Sequence, residues 1–215
     1  MVGEPVTGIG VSRLHFPVTT LGPGRRAAIW LQGCSIHRAG CVSRDTWAAA
    51  TSLTGTDAVA DWAEEQADAG LTGITMSGGE PLDQTEQLVA LLTDLRGRPR
   101  LTDKDILLYT GYAYSTVSGR HAAVLPLVDA IISGPYVASK PSDHPWIGSA
   151  NQVLTLLTGR ARDRFTKPAG PRQLQISADG GRIWMTGIPG RGDLERLQSL
   201  LAERGVLLGD VSWRL

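Results

Sequence analysis

Cys34 and Cys41 are the chain's two cysteines, and both stand in one glycine-flanked segment. It reads Leu31-Gln32-Gly33-Cys34-Ser35-Ile36-His37-Arg38-Ala39-Gly40-Cys41 and closes on Asp45-Thr46-Trp47. Thiolates are soft ligands, suited to iron–sulfur clusters and zinc. His37 could add an imidazole nitrogen, giving Cys-x2-His-x3-Cys as a candidate ligand set. A surface histidine with no ligand role fits the same residues. Arg38 adds nothing to such a set, because a guanidinium is cationic and offers no lone pair. A disulfide is a poor first reading where thiols stay reduced, and two inert buried thiols are the bland alternative. His15, His121 and His144 are scattered and mark no second metal cluster.

A second constellation follows at Met76-Ser77-Gly78-Gly79-Glu80-Pro81. Glycines let the backbone approach a ligand with no Cβ in the way. Carbonyls there, with Glu80, can accept hydrogen bonds from an ammonium group. Read alone, the motif also describes a plain strand-to-helix turn.

Other short segments keep a definite order. Leu21-Gly22-Pro23-Gly24-Arg25-Arg26 precedes the cysteines, and Tyr109-Thr110-Gly111-Tyr112 follows the glycine turn. Then come Asp129-Ala130-Ile131-Ile132-Ser133-Gly134-Pro135-Tyr136, Gly148-Ser149-Ala150-Asn151-Gln152 and, less specifically, Trp184-Met185-Thr186-Gly187-Ile188-Pro189. Each is ordinary turn chemistry by itself. In this order, from about Gly22 to Gln152, the chain resembles the radical S-adenosylmethionine (SAM) activating enzymes. The likeness is to the small activases of anaerobic ribonucleotide reductase and pyruvate formate-lyase.

The resemblance implies a partial (β/α) barrel of mostly parallel strands, with ligands at their carboxyl ends. In that family three cysteines spaced Cys-x3-Cys-x2-Cys hold a [4Fe-4S] cluster. Its open iron chelates SAM, and one electron releases a 5′-deoxyadenosyl radical. Cys34 and Cys41 match the first and third ligand positions, and Arg38 stands at the second. A stable cluster with three cysteine ligands is therefore not expected from this chain alone. Ser77, Gly78, Gly79 and Glu80 match the residues that hold the SAM amino group. Arg38 has three readings: a pair with Glu80, a partner for the carboxylate of SAM, or a side chain in solvent.

Two functions follow from the resemblance. One is a SAM-binding enzyme of the activase type, cleaving SAM reductively if a cluster forms. Its partners would be a glycyl-radical enzyme or another protein substrate, and an electron donor. The other is a cluster-free descendant that binds SAM for non-radical chemistry, or serves as a binding or regulatory subunit.

Hydrophobic periodicity supplies the elements that must position these residues. Ala27–Leu31, Gly73–Ser77, Ile106–Tyr109 and Val128–Ile132 read as buried strands. Thr56 or Asp57 can cap a helix through Ala69, with Gly70 beyond it. Leu88, Leu91, Leu92 and Leu95 form one helical stripe, and Leu194, Leu197, Leu200 and Leu201 another. Asp179-Gly180-Gly181 signals a hairpin between strands around Leu174–Ile176 and Ile183–Met185. Strands separated by helices predict an α/β fold with right-handed parallel crossovers.

The 215 residues read as one domain, 1–215, with the motif-bearing core at about 10–205. Lysine plus arginine equals aspartate plus glutamate at 21 each, so no basic field points to nucleic acid. Arg160, Arg162, Arg164 and Lys167 read as a solvated face. No apolar run approaches a membrane span, and Met1–Pro5 lacks signal-peptide character, so the expected compartment is cytoplasmic.

Overall fold

The computed structural model describes residues 8–166, 172–179 and 182–213. β1 (Gly8–Ile9) leads into β2 (Val11–Val18) and β3 (Arg26–Leu31). After the cysteine segment come β4 (Thr54–Gly55), α1 (Thr56–Glu65) and β5 (Gly73–Gly78). The alternation continues through α2 (Thr85–Gly97), β6 (Asp105–Thr110), α3 (Tyr114–Arg120) and β7 (Ala130–Ser133). β8 (Val153–Leu156), α4 (Gly159–Arg164), β9 (Leu174–Asp179), β10 (Arg182–Gly187) and α5 (Asp193–Ala202) follow.

Among the described residues, six strands form one sheet in the order β2-β3-β5-β6-β7-β8. The central strands β3, β5, β6 and β7 are parallel, while β2 and β8 are antiparallel edges. The mixed α/β, mostly parallel expectation is met at that level. The sheet is not a closed barrel, because β2 and β8 end it without pairing to each other.

Alternation along β3 divides the core between the two faces. Ile29 and Leu31 join Ile74, Met76, Ile106, Leu108 and Ile131 under the helices, against Val59, Leu88, Leu91, Leu92 and Leu95. Ala28 and Trp30 face the other side with Val18 and Leu21. On that side Leu107, Ala130 and Ile132 pack on Trp146, Ile147 and Phe165. Burial on both faces explains why β3 reads as a continuous apolar run.

Several expectations are corrected in detail. Gly55, not Thr56 or Asp57, occupies the N-cap of α1. The helix tightens into a 3₁₀ turn at Gln66–Ala69, and Gly70 ends it at φ 82°. The Leu194, Leu197, Leu200 and Leu201 stripe does lie on a helix, α5, and stays partly exposed, with Leu200 at 41%. β9 and β10 pair as expected, but Gly180, Gly181 and Lys167 lie outside the described residues. Arg160 and Arg164 are not a solvated face. Arg160 binds the carbonyls of Thr102 and Lys104, and Arg164 Nε lies 3.1 Å from Asp105.

At the amino ends of the parallel strands sits a fully buried ion pair, Arg26–Asp105, at 2.6 Å. Arg26 also binds Thr75 Oγ1 and the Ile74 carbonyl, each at 2.6 Å. Gly73 lies between the two charged residues in the register. A Cβ there would stand 2.4 Å from Arg26 Nη1. That glycine leaves room for the guanidinium.

Candidate functional site

Parallel neighbours bring their carboxyl ends together, and open α/β sheets bind ligands at that edge. Here the cysteine segment leaves β3, the Gly78-Gly79-Glu80 turn leaves β5, and Gly111-Tyr112 leaves β6. Gly134-Pro135-Tyr136 leaves β7 beside them.

Backbone hydrogen bonds brace the cysteine segment at its root. Gly33 N donates to Thr46 O at 2.8 Å and Cys34 N to Trp47 O at 3.2 Å. Asp83 anchors the next residue, accepting from Ser35 N at 2.6 Å and Ser35 Oγ at 3.0 Å. The Tyr112 hydroxyl donates to the same carboxylate at 2.8 Å. The segment then turns through His37 at φ 47° and Gly40 at φ 79°. Cys41 N closes that turn on Arg38 O at 3.1 Å. Both thiols are free and partly buried. Burial pushes the Cys34 thiol up, and Glu80 and Asp83 add to this, against backbone N–H groups of His37 and Ile36.

The glycine turn is stitched to that root. Gly79 N donates to Leu31 O at 2.9 Å, and Glu80 N to Gly33 O at 2.8 Å. A Cβ on Gly79 would stand 2.0 Å from the Gly33 carbonyl oxygen. Gly78 has φ 113°, and its Cβ would stand 2.3 Å from Leu31 N. These glycines admit the neighbouring chain, a reason the motif alone does not reveal.

Glu80 is 1% exposed. Its Oε1 accepts from Leu82 N at 3.0 Å and Thr110 Oγ1 at 2.8 Å, and Oε2 from Gly111 N at 2.8 Å. The carboxylate thus ties the β5 turn to the β6 turn. Burial raises its pKa to about 7 despite these donors. Between the ordinary carboxylate range and about pH 7 the folded state holds the proton more tightly than the unfolded state. Stability from this group therefore falls as pH rises through that window. Glu80→Gln is expected to remove the slope. It should also cost about 1–3 kcal/mol, because the amide NH2 must face a donor that now meets carboxylate oxygen. Urea unfolding at about pH 5 and about pH 7.5 measures both effects.

Arg38 and His37 are exposed on the turn. Glu80 is bound elsewhere, and among the described residues Arg38 forms no ion pair with it. That correction follows from Glu80's burial behind the turn. The His37 ring stacks on Trp47 with centroids 4.7 Å apart, and Arg44 lies 5.0 Å from the centroid of the same indole. Among the described residues no three His, Cys, Asp or Glu side chains gather as a metal-ligating group. Ser35, Asp83 and Thr85 escaped the sequence reading, and so did the hydroxyl roles of Thr110 and Tyr112. His121, stacked on Tyr112 and 2.7 Å from Thr85 Oγ1, escaped it as well. A polar residue three places after Glu80 was the one local signal for Asp83.

Residues 20–155 match the family model described as a 4Fe-4S single cluster domain. The chain belongs to that family. It is also similar to proteins named anaerobic ribonucleoside-triphosphate reductase-activating protein. The one from Vibrio cholerae serotype O1 is 29% identical over 151 residues, covering 67% of this chain and 96% of that protein. The Enterobacteria phage T4 protein is 33% identical, covering 62% of this chain and 85% of its own length. The Escherichia coli K12 protein is 30% identical, covering 65% and 94%.

The match implies an iron–sulfur cluster, and the ligand set can be tested on this chain. Two cysteines are present in the sequence, and the second of the three ligand positions carries the exposed, cationic Arg38. His37 is stacked on Trp47 and joins no ligand group. These residues do not fit a cluster held by three thiolates of one chain. Among the described residues no helix is long and apolar enough to cross a membrane.

Proposed function

We propose that the chain is a SAM-binding member of the activase family, recognising a glycyl-radical protein as its resemblance to those activases implies. We read its one domain as a truncated (β/α) barrel working in the reducing cytoplasm. The supporting observation is a split between strands. The β3–β5 register runs to Gly78, whereas the β5–β6 register stops at Met76. Backbone groups of Ser77, Gly78 and Gly79 on the β6 side therefore fall outside a ladder. They stand beside Gly111 and the cysteine root, where carbonyls can receive an ammonium group.

Glu80 acts by holding the two turns in place. Arg38, free of Glu80 and exposed, is the group for the carboxylate of the ligand, which a guanidinium pairs with by two parallel hydrogen bonds. A radical step is not assigned to the chain as it stands, because its own thiolates do not complete the cluster that such a step needs. This favours the cluster-free reading.

Isothermal calorimetry under reducing conditions tests the proposal. Saturable one-to-one binding of SAM or S-adenosylhomocysteine is expected. Arg38→Met should weaken it by about tenfold or more, with Arg38→Lys between the two. Melting temperatures should stay at the parent value, since an exposed side chain carries little stability. Absence of heat from either ligand overturns the assignment.

A further inference from the structure

The segment after α5 returns to the cysteine loop. Ser212 O accepts from Arg44 N at 2.8 Å and from Asp45 N at 3.4 Å. Ser212 Oγ donates to Val42 O at 2.8 Å, across 170 positions of sequence. The three residues gripped are the ones just past Cys41. We infer that the C-terminal segment around Ser212 is a strap that positions the cysteine loop, with Ser212 as its positioning residue.

The path from strap to cysteines is continuous. Arg44–Thr46 is a 3₁₀ turn, and Thr46, wholly buried, binds Ser43 O through both its N–H and its hydroxyl. The carbonyls of Thr46 and Trp47 then accept Gly33 N and Cys34 N. Gripping the turn at Ser212 therefore fixes the acceptors on which Cys34 hangs. On the other side, Cys41 Sγ accepts from Ser43 N at 3.4 Å. The turn has a second brace in Arg13–Asp45 at 2.6 Å, and a third in Gln32 Nε2 to Asp45 O at 3.2 Å.

Two further facts give the strap a purpose in this chain. The family model ends at residue 155, so the strap lies outside the part that the family shares. The relatives from Vibrio cholerae and Escherichia coli are 96% and 94% covered by matches of 151 and 145 residues. A loop whose ligand set lacks one member also depends on protein contacts for its shape. The strap supplies such contacts where the two cysteine arms meet. This inference does not rest on SAM binding.

Hydrogen exchange by mass spectrometry, with iodoacetamide labelling of the thiols, tests it on the full chain. Inserting two glycines between Asp210 and Val211 should displace the Ser212 carbonyl. Exchange at Gly33, Cys34, Arg44 and Asp45 should then rise about tenfold or more, and both thiols should label faster. Amides of β3 and β5 should keep parent protection. Ser212→Ala should give a smaller rise, about fivefold, that Ser212→Thr restores. Parent rates at Gly33, Cys34 and both thiols in the insertion variant overturn the inference. If the insertion also unprotects β3 and β5, the point variants decide: equal rates in Ser212→Ala and Ser212→Thr overturn it.

Discussion

Arg38→Cys is expected to raise iron loading after anaerobic reconstitution from well under one cluster to about four irons per chain. The substitution completes Cys-x3-Cys-x2-Cys with Cys34 and Cys41 and removes a positive charge from the ligand sphere. The loop keeps its anchors in the variant. Its root is held by Thr46, Trp47 and Asp83, and position 38 already lies on the exposed turn. Three thiolates leave one iron open, as a site-differentiated cluster requires. Iron counting, broad visible absorbance and electron paramagnetic resonance after reduction read the result. His37→Ala in the parent should leave iron content unchanged, because the imidazole is engaged with Trp47. A parent chain already holding about four irons would show that the ligand set was misjudged.

Breaking the Arg26–Asp105 pair should produce the largest loss of stability in the molecule. Both side chains are 0% exposed. Removing one partner leaves the other charge buried and uncompensated, at a cost of about 3–5 kcal/mol. Asp105→Asn keeps the shape and strands Arg26, while Arg26→Met strands Asp105, with Arg164 as its remaining cation. Denaturant unfolding should show both variants well below the parent, and the double variant Arg26→Met with Asp105→Leu recovering part of the loss. Equal stability of parent and Asp105→Asn would mean that water reaches the pair. The effect should be confined to stability, since the pair lies at the strand ends opposite the candidate site.

Much of the scaffold was legible from periodicity. Leu88, Leu91, Leu92 and Leu95 lie on one helical face and are all buried, as their spacing requires. The four parallel strands read as apolar runs because helices or loops cover both faces. The edges were not legible. Val11–Val18 contains Arg13, His15 and Pro17, which an edge strand tolerates and a buried strand would not. Short Val153–Leu156 gave too few residues for a period.

At the site, the cysteine and glycine motifs were visible because each is local. Their partners were not. Ser35 meets Asp83, Glu80 meets Gly111, and Arg44 meets Ser212 across stretches that carry no common period. By itself the sequence determined the alternation of strands and helices, the family, and the shortage of one thiolate, since composition and order suffice for these. Only the tertiary structure decided that Glu80 turns inward, that Arg38 faces solvent, and that Gly78 makes room for β3 and Gly79 for the root of the cysteine segment. The physical reason is that local spacing sets which face of an element is apolar, whereas strand order sets which distant polar groups come within hydrogen-bond reach.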